Sequence, residues 1–80
     1  MASQGHAPAA EVRVRLEVEA ALGQLIFDLR TQAGLSQREL AERAGTTQSV
    51  ISRLEEGGGA RNGIDTLARV ARALGRHLVV

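Results

Sequence analysis

Apolar residues between positions 9 and 33 follow two competing periods. Val14, Val18, Leu22, Leu25 and Leu29 step by 4, 4, 3 and 4, the spacing of one helix face. Val12, Val14, Leu16 and Val18 alternate with charges, which is the period of a strand. No turn signal separates Val18 from Leu22, and Ala20, Ala21, Leu25 and Arg30 are good helix formers. The pattern predicts one long helix that stops before Gly34, a C′ glycine.

Three shorter helices follow. Ser36 with Glu39 three residues later is a capping box, and Leu40, Ala41 and Ala44 give the helix an apolar face before Gly45 stops it. Thr47 is the N-cap of a third helix over 48–55, with Val50, Ile51 and Leu54 facing one way. Gly57, Gly58 and Gly59 end it and open a loop. Ile64, Leu67, Val70, Ala71 and Leu74 define a fourth helix over 64–74, opened by Asn62 or Gly63 and closed by Gly75. Residues 76–80, Arg-His-Leu-Val-Val, are too short and too β-branched for another helix and predict a short strand. Residues 1–8 are small and polar and read as a disordered tail. The predicted organisation is a tail over 1–8, one helical domain over 9–75 and a strand-like segment over 76–80.

Composition narrows the function classes. Eighty residues make one small domain with a marginal core. With no Cys there are no disulfides and no Cys-based zinc site, and an intracellular, cytoplasmic setting is expected. His6 and His77 lack ligand spacing, so neither metal nor other cofactor is expected. No apolar run is long enough to span a membrane. Oligomerisation is therefore the expected source of extra stability. The one aromatic residue, Phe27, cannot form a base-stacking platform for single-stranded nucleic acid. Net charge is only +1, yet residues 36–80 hold seven Arg against five acids. All basic residues are Arg, whose planar fork suits phosphate and guanine. The glycine loop is not a P-loop, because the chain has no Lys. Ser36 has no His or acid placed to activate it, and no other catalytic arrangement stands out, so no enzyme is expected.

Residues 37–55 read as helix, tight turn, helix. Ala41 is small where the second helix crosses, Gly45 permits the turn, and Ile51 and Leu54 fill the angle between the helices. At about 100° per residue, Gln48, Ser49, Ser52, Arg53 and Glu56 fall on the arc opposite Val50, Ile51 and Leu54. Gln pairs with adenine and Arg with guanine in the major groove, and Ser reads either less strictly.

Residues 22–74 resemble the Cro/C1-type (XRE) helix-turn-helix family of regulators. The resemblance lies in Gly-Leu-Ser-Gln-Arg-Glu-Leu-Ala (34–41), Ala-Gly-Thr-Thr-Gln-Ser-Val-Ile-Ser-Arg-Leu-Glu (44–55) and Asp-Thr-Leu-Ala-Arg-Val-Ala-Arg-Ala-Leu-Gly (65–75). It implies an all-α, compact four- to five-helix lambda-repressor-like domain. It places Gln48, Ser49, Ser52 and Arg53 against bases of double-stranded DNA and a backbone-phosphate contact at Gln37. Thr47, at the head of its helix, and Arg61 and Asn62, in the loop before the fourth helix, are further phosphate candidates. It also implies a structural ion pair between Arg30 and Glu55. Asn62-Gly63 stands where the family usually has Pro-Ser, and a Leu-Val-Val ending stands where many members carry a fifth helix. The long leading helix and the strand-like ending resemble the small antitoxin branch, the HigA and HipB type.

A second apolar stripe runs through Val12, Leu16, Ala20, Gly23 and Phe27, roughly opposite the first. Leu16, Ala20, Gly23 and Phe27 are therefore candidates for a homodimer or toxin interface. Leu78, Val79 and Val80 are candidates for a ribbon across a dimer axis. The expected function is a dimeric repressor reading operator DNA with the third helix. The alternative is an antitoxin that neutralises a toxin and controls its own operon.

Overall fold

A computed structural model describes residues 9–58 and 63–78. Its four helices are α1 (Ala9–Gln32), α2 (Gln37–Ala44), α3 (Gln48–Glu55) and α4 (Gly63–Leu78). The architecture is all-α, and the described residues contain no strand.

The start of α2 carries the expected capping box. Ser36 Oγ accepts from the Glu39 amide at 3.0 Å, and Glu39 Oε1 accepts from the Ser36 amide at 2.7 Å. The end of α2 needs a left-handed residue, supplied by Gly45 at φ 73°. There Thr46 N–H donates to Ala41 O at 2.9 Å, which ties off an orphan carbonyl and sets the tight turn into α3. The same closure recurs at Gly34 after α1 and at Gly57 after α3.

The core sits where the four helices meet. Leu40, Ile51, Leu54 and Val70 are its fully buried large side chains, joined by Ile26, Leu35, Ala41, Ala44, Ala73 and Leu74. The first apolar stripe of α1 covers the core only in part. Val14, Val18 and Leu25 are 51–59% exposed, and Leu22 and Leu29 are only partly buried. The buried line instead runs through Gly23, Ile26 and Arg30. At Gly23, α1 crosses the end of α3 so closely that a Cβ would lie 2.6 Å from Leu54 O and 2.7 Å from Glu55 O. Gly23 therefore leaves the exposed stripe on which the sequence reading put it. It is an internal crossing point, and the stripe is interrupted there.

The second correction concerns the chain after Gly75. Arg76, His77 and Leu78 continue α4 and form no strand. Gly75 keeps a helical backbone rather than the positive φ of a stop. The helix-forming run before it outweighs one permissive residue. The ribbon expected of Leu78 is thus not formed. Val79, Val80 and the 1–8 tail lie outside the described residues.

Candidate nucleic-acid interface

The turn at Gly45 leads into Thr47, whose backbone is extended and whose Oγ1 accepts from the Val50 amide at 3.3 Å. That cap fixes where α3 begins. Ile51 and Leu54 then anchor α3 in the core, and Val50 packs half-buried against it. With the apolar side committed, Gln48, Ser49 and Arg53 stand exposed and Ser52 half-exposed on the other side. Ser52 Oγ donates to Glu56 Oε2 at 3.4 Å.

Gln37, at the first turn of α2, joins them. Gln37, Gln48, Ser49, Ser52 and Arg53 together line one open, polar concavity. The base-reading and phosphate candidates from two helices are thus brought to one surface. Thr47, also exposed, heads the helix beside them. Arg61 and Asn62 lie outside the described residues.

Behind this surface is a polar joint. Arg30 Nε and Nη2 donate to Glu55 Oε2 and Oε1 at 2.6 and 3.1 Å, a two-pronged pair. Arg30 Nη1 also donates to Leu35 O at 2.9 Å. The pair is shielded, with side-chain exposures of 11% and 7%. Arg30 also stacks 5.3 Å from the centre of the Phe27 ring, so Phe27 has an intramolecular role while staying partly exposed. Gln37 Nε2 donates to Glu55 Oε1 at 3.0 Å. One carboxylate therefore ties α1 and α2 to the last turn of α3. Sequence reading missed this role of Gln37, because the two residues lie 18 apart on separate helices.

Sequence reading also missed a basic cleft. Arg43 at the end of α2 and Arg69, Arg72 and Arg76 on α4 surround Ala44, Gly45 and Ala73, with Glu42 at the edge. The steps of 3 and 4 from Arg69 to Arg76 are the signal that puts them on one helix face.

The comparisons with known proteins agree with this geometry. The helix-turn-helix family model matches residues 26–80, more than half of the chain. The chain belongs to the Cro/C1-type helix-turn-helix family. A relative in Methanothermobacter thermautotrophicus, described as an uncharacterized HTH-type transcriptional regulator, is 48% identical over 53 residues. That match covers 66% of this chain and 75% of the relative. In this helix-turn-helix protein the matched region takes in α2, α3, α4 and the end of α1 that carries Ile26 and Arg30. The first turns of α1 lie before it. Among the described residues no helix is long and apolar enough to cross a membrane.

Proposed function

We propose that this protein is a sequence-specific regulator that binds double-stranded DNA as a dimer and represses transcription in the cytoplasm. The carrying observation is the shared surface of Gln37, Gln48, Ser49, Ser52 and Arg53, held on a capped and core-anchored α3. A helix of this width enters the major groove. Gln48 and Arg53 present the two bidentate forks, amide and guanidinium, that pair with adenine and guanine. Ser49 and Ser52 add hydroxyls that read bases less strictly.

Gln37 and Thr47 take the phosphate contacts. The Thr47 hydroxyl accepts within its own helix and keeps its proton for a phosphate oxygen. The first amides of α3 lack intrahelical acceptors and favour an anion. Arg61 and Asn62 are assigned to phosphate as well, on the resemblance alone. These groups set position, and the groove-facing groups set sequence.

The test is selection from a random double-stranded library, followed by binding of the enriched sites to wild type and Arg53→Ala. The expected result is a palindrome with half-sites about 34 Å apart. Arg53→Ala should cost about 1–3 kcal/mol on the selected site and relax one position per half-site. Binding indifferent to sequence would overturn this reading. The antitoxin reading would gain from a stable complex with an unlike protein. The exposed apolar residues of α1, Val14, Leu16 and Val18, suit a protein partner.

A further inference from the structure

Four arginines gather away from the reading surface. Arg43 at the end of α2 and Arg69, Arg72 and Arg76 on α4 line one cleft of about 260 Å³. Ala44, Gly45 and Ala73 are its small residues, and Glu42 is its acid. Four arginines and one glutamate give the cleft +3, while the whole chain carries +1. Everything outside the cleft therefore sums to −2.

The fold brings these cations together and leaves them without partners. Steps of 3 and 4 hold Arg69, Arg72 and Arg76 on one face of α4. Ala44 and Ala73, both buried and both lining the cleft, are small where α2 and α4 come together. Arg69 reaches over the turn after α2, with Nη1 3.8 Å from where a Gly45 Cβ would stand. All four arginines are exposed, and among the described residues none makes an ion pair. Glu42 is engaged instead by Arg38, 3.7 Å away. Glu39, one turn before Arg43, caps α2, and Asp65, one turn before Arg69, does not line the cleft. Like charges at these helix spacings repel in the free protein, and a bound anion relieves that repulsion.

We propose that this cleft is a second anion site, which binds a run of phosphate groups. Every cation in it is Arg, whose planar fork donates two parallel N–H bonds to a phosphate. From Arg69 to Arg76 the face extends about 10 Å along α4. One DNA strand carries a charge about every 3.4 Å along its axis, so the face matches about three consecutive phosphates rather than one. Ala44, Gly45 and Ala73 put no large side chain in the way. The backbone of a nucleic acid and a free polyphosphate share this chemistry.

The cleft has no residue in common with the concavity of Gln37, Gln48, Ser49, Ser52 and Arg53. Gln37 opens α2 and Ala44 closes it, about 10 Å apart along the axis. The site therefore stands whether or not α3 reads a sequence.

Sodium tripolyphosphate is the probe, titrated calorimetrically into the chain at low salt. It should bind at one site per chain. Arg69→Gln/Arg72→Gln should weaken it by about tenfold or more, since each lost bond is charge-assisted. Arg13→Gln/Arg15→Gln, which removes the same charge from α1, should leave it unchanged, as should Arg53→Ala. Both double changes fall on exposed residues, and circular dichroism checks that the variants are folded. No saturable binding, or equal weakening by the α1 pair, would overturn the proposal. Hexaglutamate binding as tightly as tripolyphosphate would overturn the assignment to phosphate. Salt dependence of duplex DNA binding then separates the two sources. If the DNA backbone fills the cleft, Arg69→Gln/Arg72→Gln lowers the slope of log affinity against log salt by about 2. If a free polyphosphate fills it, the slope is unchanged while tripolyphosphate binding is still weakened. Library selection is scored separately, so either proposal can fail while the other stands.

Discussion

Three donors converge on the Glu55 carboxylate, two from Arg30 and one from Gln37. Removing that carboxylate leaves Arg30 shielded from water with, among the described residues, Leu35 O and the Phe27 ring as partners. A buried ion that loses its partner costs about 3–5 kcal/mol. We expect Glu55→Ala to lower stability by that much in urea unfolding. Glu42→Ala, which breaks the exposed pair with Arg38, should cost about 0–1 kcal/mol. Equal losses for the two variants would contradict the assignment. At this scale the pairing of Glu55 with Arg30 was legible only through family resemblance. The third donor was not legible, since nothing local in the chain links Gln37 to Glu55.

At the scale of elements, legibility followed the strength of local chemistry. Helices α2 and α3 are short and closed by Ser36, Gly45 and Thr47, so their limits and buried sides could be read from spacing. Helix α1 offers two apolar stripes, and spacing found the buried side only in part: Leu22 and Leu29 of the first stripe pack against the core, while Val14, Val18 and Leu25 do not. The line it buries runs through a glycine, an isoleucine and an arginine, which carry almost no hydrophobic period. Gly23 looked like a gap on an outer face because its reason lies in another helix, the backbone carbonyls of Leu54 and Glu55. Gly23→Ala must push α1 and α3 apart. The expected loss is about 1–3 kcal/mol, as for other overpacked sites. It should appear as a lower unfolding midpoint, although Ala is the better helix former. A midpoint equal to or above wild type would show that the crossing yields easily.

At the scale of the molecule, two surfaces draw on different residues. The polar concavity on α3 and the exposed apolar residues Val14, Leu16 and Val18 of α1 share no side chain, so each can be altered while the other is kept. The end of α4 shows a limit of reading by segments: Gly75 resembled a stop, but the helix around it was already committed by its packing through Val70, Ala73 and Leu74. Net charge adds little attraction for a polyanion, because the chain carries only +1. Affinity for DNA must then come from local contacts to phosphate, and each neutralised phosphate makes binding fall with rising salt.

The shielded joint at Arg30, Glu55 and Gln37 has a practical consequence in this setting. Surface charges are screened within about 10 Å at 0.1 M salt, whereas a pair removed from solvent is screened much less. Salt should therefore release the nucleic acid before it loosens the helices. Between about 50 and 200 mM salt, affinity should drop steeply, while helical circular dichroism stays level. If both signals fall together, the joint is not protected. If they separate, the slope of log affinity against log salt counts neutralised phosphates, and a saline wash becomes a way to strip bound DNA from protein that is still folded.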